Sequence, residues 1–304
     1  MNKKNNLKKI DPIPCYQWFT GLLEADGGLY VSKQGYPSLE ITMDEAEVQS
    51  LSFVKKLCGE GSVSPRKGAK AYRWRLHSCQ SIANLLPHIA PHFHTEKTFQ
   101  QYLKVVDSLK KYPPVHSTSS DEALQQRLAT MFDRLNDSPM LKDKSPKRRS
   151  KPKKEIETVH VPHVNQSQID NIFIQNRKVS LDSAWFSGFF CGDGCFYVSP
   201  LNFQVTFSIS QADRVILEKI QECFKGGRIH FDIKDKMWVW QMSEKKGLHK
   251  IADYLSIFKL WNPLKEAQRF SMLRFLRYKE RGDHLNPLHH ARLRHFIHLI
   301  PKKK

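Results

Sequence analysis

The sequence has no apolar run approaching the roughly eighteen residues that a membrane-spanning helix needs, so a transmembrane protein is excluded. Acidic residues are scarce: 30 Asp and Glu stand against 49 Lys and Arg, a formal net charge of +19. A surplus of that size calls for a polyanionic partner, most simply a nucleic acid. An anionic membrane surface would instead call for a basic helix with an apolar face, which the basic runs here lack. Cys15, Cys58, Cys79, Cys191, Cys195 and Cys223 are scattered and include no C-x-x-C pair, which favours free thiols in a reduced compartment over a disulfide framework. The 14 histidines, among them His92 and His94 and the set His289, His290, His295 and His298, match no zinc-ligand spacing. Met1 to Lys9 is polar and basic, with neither the apolar core of a secretory signal nor an Arg/Ser-rich amphipathic stretch. What is present is ample for a core: 304 residues, 40% hydrophobic, enough for two ordinary domains.

An internal repeat organises the chain. WFTGLLEADGGLYVS from Trp18 recurs as WFSGFFCGDGCFYVS from Trp185, with Trp, Phe, Gly, Asp, Gly, Tyr, Val and Ser in register. Downstream pairs keep nearly the same offset: Val48 with Val215, Leu57 with Phe224, Gly61 with Gly227, Trp74 with Trp240, Lys97 with Lys265. The chain is a diverged tandem duplication.

Both copies show the same order of periodicities. An apolar helix carries the repeated motif and ends at Gly27 or Gly194, read as glycines just past a helix C-terminus. Alternation follows, with Leu39, Ile41 and Met43 in the first copy and Val205, Phe207 and Ile209 in the second, so each sheet has one buried and one polar face. Next come an amphipathic helix (45–57; 213–224), glycines, a second strand pair and closing helices, an αββαββα unit. The expected organisation is a basic N-terminal extension (1–12), a first domain (13–110), a linker (111–180), a second domain (181–280) and a basic C-terminal tail (281–304). The linker has a plausible helix at 121–135. From Pro139 to Lys154 it then carries eight Lys or Arg and three prolines against Asp143 alone, a flexible basic tether that cannot build a core.

Gly21 and Ala25 in one motif helix match Gly188 and Gly192 in the other, small residues four apart on one face. Two such faces let helix backbones approach closely, so the copies should dock motif helix to motif helix. Docking brings together the helix ends, and each end carries an aspartate, Asp26 or Asp193. Carboxylates forced together repel unless a hard divalent cation lies between or beside them, and Mg2+ is the natural resident. Asp before Gly also ends many helices for purely structural reasons. Its duplication at two docked ends is what marks a site.

FTGLLEADG from Phe19 and FSGFFCGDG from Phe186 align without gaps with the signature nonapeptide of LAGLIDADG homing endonucleases, and the chain resembles the two-motif, single-chain form over roughly 13–110 and 181–280. The resemblance implies an α+β fold of two pseudo-symmetric domains whose sheets form a saddle-shaped DNA-binding surface. It implies that Asp26 and Asp193 bind the catalytic metals. It also implies that a Gln, here Gln211, and lysines, here Lys97 and Lys265, surround the metals and order the attacking water. The first copy departs from the family, with Met43 or Asp44 where Gln is expected. The second has Cys191 where the first has Glu24, at a position that is not the metal ligand.

Two-stranded ribbons fit the major groove, where Arg, Gln, Thr and Ser read base edges. Candidate DNA contacts in the first copy are Ser32, Lys33, Gln34, Glu40, Thr42, Arg66, Lys70, Arg73 and Arg75. In the second they are Ser199, Asn202, Gln204, Thr206, Ser208, Arg228, His230, Lys234, Lys236 and Gln241. The expected protein is a monomeric, Mg2+-dependent endonuclease cutting an asymmetric duplex target, encoded by a mobile intron and resident in an organelle if encoded there. The alternative within the family is an intron maturase that binds intron RNA. Either would use the basic tether. Deleting 139–154 should lower DNA affinity and flatten its salt dependence without changing the recognised sequence, since those residues reach only phosphates. Binding isotherms at several salt concentrations measure this, and a changed site preference would mean that the tether contacts bases.

Overall fold

The computed structural model describes residues 13–111 and 177–300. The expected linker helix, the basic tether and the N-terminal extension lie outside the described residues.

The first copy runs α1 (Ile13–Asp26), β1 (Gly27–Val31), β2 (Pro37–Asp44), α2 (Val48–Cys58), β3 (Ser62–Pro65), β4 (Ala71–Leu76), α3 (Cys79–Ile89) and α4 (Glu96–Lys111). The second repeats it as α5 (Trp185–Asp193), β5 (Gly194–Val198), β6 (Val205–Gln211), α6 (Arg214–Phe224), β7 (Arg228–Asp232), β8 (Met237–Met242), α7 (Lys245–Ile257) and α8 (Pro263–Glu280), followed by α9 (Pro287–His298). Each copy builds one four-stranded antiparallel sheet, ordered β1-β2-β4-β3 and β5-β6-β8-β7. This is the two-domain α+β architecture implied by the repeat.

The alternation sets which sheet face is buried. Leu39, Ile41 and Met43 lie under the helices with Trp74 and Leu76, and Val205, Phe207 and Ile209 do so with Trp240 and Met242. The four largest fully buried side chains are the repeat pairs Trp18 with Trp185 and Trp74 with Trp240. Between α2 and β3, Gly59 and Gly61 take left-handed φ values of 72° and 96°; in the second copy Lys225 and Gly227 do so at 54° and 84°.

Helices α1 and α5 pack against each other through the small residues. A Cβ on Gly21 would sit 2.0 Å from the Trp185 carbonyl oxygen, and one on Gly188 would sit 1.8 Å from that of Trp18. Gly27 and Gly194 follow the helix C-termini, as read from the sequence. Gly194 is extended (φ −78°, ψ 147°), and both Gly27 and Gly194 are the first residues of strands. They are needed for space, since a Cβ on Gly27 would meet the Glu40 carbonyl oxygen at 2.7 Å and one on Gly194 would overlap the Phe190 ring. The C-terminal stretch read as a basic tail instead contains α9, started by Asn286 as N-cap with Pro287 behind it and anchored by buried Leu293 and Ile297.

Candidate active site and nucleic-acid interface

Docking of α1 on α5 decides where the acidic residues lie. A Cβ on Gly192 would be 3.1 Å from the Asp26 Oδ2, so the Asp26 carboxylate rests against the last turn of α5, one residue from Asp193. Asp193 accepts a hydrogen bond from the Gln211 Nε2, at the end of β6. Lys265 enters from the first turn of α8, where Asn262 caps the helix by accepting from the Lys265 amide at 3.1 Å. Its Nζ donates to the Gly194 carbonyl, immediately after Asp193, and only 3% of Lys265 is exposed. Asp193, Gln211 and Lys265 thus converge, with Asp26 alongside.

Burial of an ammonium needs compensation. It comes from the other copy: Glu47, fully buried, lies 4.0 Å from the Lys265 Nζ and accepts from the Asn262 Nδ2 at 3.0 Å. Sequence reasoning missed Glu47, and no signal marks it, because its repeat position is occupied by Arg214, an exposed residue paired with Glu218.

The first copy is furnished differently. Met43 is the counterpart of Gln211: it lies opposite Tyr72 as Gln211 lies opposite Trp238, and Ile41 pairs with Gly27 and Trp74 as Ile209 pairs with Gly194 and Trp240, so a buried thioether stands in the place of the amide, and the next residue is Asp44. Its carboxylate accepts from the Ala46 amide at 2.9 Å, capping a short 3-10 turn. Lys97 is not brought to the site. It is exposed on the first turn of α4, and Thr98 stands where Lys265 stands in α8, three residues beyond Thr95 as Lys265 is beyond Asn262. The Thr95 and Thr98 hydroxyls hydrogen-bond to each other at 2.9 Å.

Glu24, two residues before Asp26, faces away from this cluster and joins the copies. It accepts from the amides of His94 (2.9 Å) and Thr95 (2.8 Å), the Thr95 hydroxyl (2.8 Å) and the Trp185 indole (2.6 Å). Burial pushes its pKa up to about 7 against these donors, which favour the carboxylate. Burial also pushes His94 down to about 3 and His92 down to about 4, with Arg177 adding to each. At the matching position Cys191 and the Trp18 indole both donate to the Leu260 carbonyl, at 2.5 and 3.1 Å. The thiol therefore bonds within the second copy, and the Trp18 indole alone crosses between the copies to that carbonyl.

The sheet faces turned from the helices carry the candidate DNA contacts. Glu40 pairs with Arg73 at 3.1 Å and with Arg75 at 2.6 Å, and the Arg73 Nε reaches the Thr42 hydroxyl at 3.3 Å. Ser32 closes the β1–β2 turn on Tyr36, leaving Lys33 and Gln34 exposed at its tip, and Arg66 and Lys70 are exposed in the β3–β4 turn. In the second copy Ser208, Gln241 and Arg228 form one cross-strand row, and His230 lies opposite Val239. Thr206 is half-buried on β6, Ser199, Asn202 and Gln204 shape the β5–β6 turn, and Lys234 and Lys236 are exposed between β7 and β8. Arg73 and Arg75 thus occupy the places of Val239 and Gln241, so the two faces differ chemically. Unpredicted on these faces are Tyr30 and Tyr197, 46% and 54% exposed at equivalent strand positions. Their signal was the alternation inside the repeated motif.

The family model described as LAGLIDADG endonuclease matches residues 186–268. Among solved structures, the I-LtrWI LAGLIDADG homing endonuclease bound to target DNA superposes with a TM-score of 0.64 at 16% identity, covering 97% of this chain and all of that one. I-SmaMI bound to uncleaved DNA target in the presence of calcium ions gives 0.61 at 17% identity, covering 95% and 98%. The fold is that of the LAGLIDADG homing endonucleases. The chain has the two-motif, single-chain form. Two sequence relatives are intron-encoded. The RNA maturase bI4 of Saccharomyces cerevisiae is 25% identical over 252 residues, 81% of this chain and 30% of that protein. The probable endonuclease aI2 of Debaryomyces hansenii is 31% identical over 93 residues, 31% of this chain and 14% of that protein. The chain therefore spans less than a third of the length of either curated relative.

The LAGLIDADG helix ends suit a hard cation. Asp26 and Asp193 offer oxygen donors, and among the described residues no group of three or more His, Cys, Asp or Glu could hold a metal alone. Such a donor set fits a hard divalent cation that keeps several waters and binds through one or two carboxylates plus substrate phosphates.

Proposed function

We propose that the protein is a site-specific DNA endonuclease that hydrolyses both strands of an asymmetric duplex target as a monomer, using a divalent cation, Mg2+ in the cell, held by Asp26 and Asp193. One observation carries this reading: two docked helices bring an aspartate each to the junction of two sheets whose polar faces are open and basic. The cation would polarise the scissile phosphate and supply a nucleophilic water at neutral pH. Gln211 fixes the Asp193 carboxylate, and Lys265 sets a positive charge beside it where a phosphate gains negative charge in the transition state. The Lys and Arg of the sheet faces and turns hold the DNA backbone, and the uncharged side chains between them read bases. Both relatives are intron-encoded, which supports a mobile intron as the source and an organelle as the place of action. The test is cleavage of a plasmid carrying the intronless exon junction, with Mg2+ and with a chelator. Site-specific linearisation only with Mg2+ is expected, and no cleavage would overturn the reading.

A second reading, an RNA maturase, draws on the likeness to bI4. The basic surface would serve it, but paired carboxylates repel RNA and have no use in a splicing chaperone. Intron splicing assisted by the protein, with no DNA cleavage, would establish it instead.

A monomer on one site requires that its halves read different bases. Arg75→Gln places in the first copy the side chain that Gln241 already places in the second. It should relax or alter preference in one half-site only, at about 1–3 kcal/mol if Arg75 makes a bidentate guanine contact. Cleavage profiling on singly substituted targets reads this, and a symmetric change in both half-sites, or two chains per site in sedimentation, would contradict the monomer.

A further inference from the structure

Resting on the nuclease reading, we infer that the two half-sites are unequal in power, so that the strand served by the second copy is cut first and a nicked duplex is a true intermediate. The inequality is built into corresponding positions. Where the second copy has Gln211, whose amide holds Asp193, the strand register gives the first Met43, a buried thioether that has no hydrogen to donate to a carboxylate. In the first turn of the closing helix, the second copy has Lys265, whose ammonium is buried against the strand that follows Asp193; the first has Thr98, neutral and engaged with Thr95. Lys97, adjacent in sequence, is on the exposed side of the same turn. Glu47 and Asn262 keep the Lys265 ammonium in place, and the first copy has no such arrangement around Thr98, because Glu47 is replaced in the repeat by the exposed Arg214.

The chemistry at each strand is the same. A water oxygen forms a bond to phosphorus, the bond to the 3′-oxygen breaks, and that oxygen leaves with a proton while the other product keeps a 5′-phosphate. Negative charge on the phosphoryl group and the departing oxygen rises on the way. A fixed buried ammonium lowers that cost in one half-site, and the neutral Thr98 in its place offers no such charge in the other. Removing one preorganised group of this kind typically costs about a hundredfold or more in rate, so a bias of at least about tenfold between strands is expected.

The experiment uses the full-length protein with Mg2+ on the target in supercoiled plasmid and on a linear duplex with a different label on each strand. Nicked circles should build up before linear product, with the same labelled strand released at least about tenfold sooner in each preparation. Lys265→Gln should slow that early strand, leave the late one nearly unchanged and retain DNA affinity measured in calcium. A lysine serving the fold alone would change both strands together. Release of both labels within about twofold of each other in the unmodified protein, or equal slowing of both strands by Lys265→Gln, overturns the inequality and leaves the nuclease reading standing. Absence of cleavage in either strand overturns both.

Discussion

Asp26→Asn and Asp193→Asn should each abolish double-strand cleavage, lowering the rate by about a thousandfold or more, a loss of ~4 kcal/mol in transition-state stabilisation. The substitution preserves shape and removes one negative charge from a donor set that has only two carboxylates. In Asp26→Asn the new amide would still rest against Gly192, where the room is limited to a side chain of this size. Folding and DNA affinity in calcium should therefore change little, because the reading surfaces lie on the sheets rather than at the helix ends. Asp193→Asn also leaves the Gln211 amide without its carboxylate partner, so of the two variants it should lose more of the early strand cleavage. Full linearisation of target plasmid by either variant would remove the aspartates from the chemistry.

Much of this arrangement could be read before any coordinates, because duplication writes the same pattern twice. The offset between Trp18 and Trp185, the alternation in both hairpins and the paired small residues located the two domains, their buried faces and their docking helices. Asp26 and Asp193 were legible for the same reason. Properties that break the duplication were not. Glu47 acts across the interface on Lys265, and a contact between non-equivalent positions in two copies leaves no trace in a self-comparison. Lys97 was matched to Lys265 by residue type, yet alignment by helix start makes Thr98 the counterpart, a shift of one residue that turns a side chain from the interior to solvent. The glycines after the motif helices were legible as residues that follow a helix C-terminus. The crowding by Glu40 and Phe190 that actually requires them comes from strand pairing and aromatic packing. In α9 the signal was present and overshadowed by charge: Asn286 and Pro287 begin a helix, and Leu293, Ile297 and Ile300 recur at helical spacing.

Gly188→Ala and Gly21→Ala should be among the most destabilising single-methyl changes in the molecule. The new Cβ would come within 1.8 Å of the Trp18 carbonyl oxygen in one case and 2.0 Å of the Trp185 carbonyl oxygen in the other. Both obstacles are backbone atoms of a helix, so no rotamer change relieves the overlap, and the two helices must separate. Separation loosens the buried contacts that depend on the docked distance, including the Trp185 indole on Glu24 and the Trp18 indole on Leu260. Overpacking a well-packed core by small groups costs about 1–3 kcal/mol, occasionally more, and a rigid backbone on both sides puts these variants at the upper end of about 3 kcal/mol or beyond. Gly68→Ala is the control, since Gly68 has a φ of 77° but nothing within 4 Å of its added Cβ, so it carries only the left-handed backbone cost of about 1–2 kcal/mol. Urea denaturation of the three variants measures the difference. The same separation moves Asp26 away from Asp193, so cleavage at temperatures where the variants remain folded should fall by much more than DNA affinity does. Equal stability of Gly188→Ala and Gly68→Ala would mean that the helices do not meet at these glycines, and the shared site at their ends would lose its physical basis.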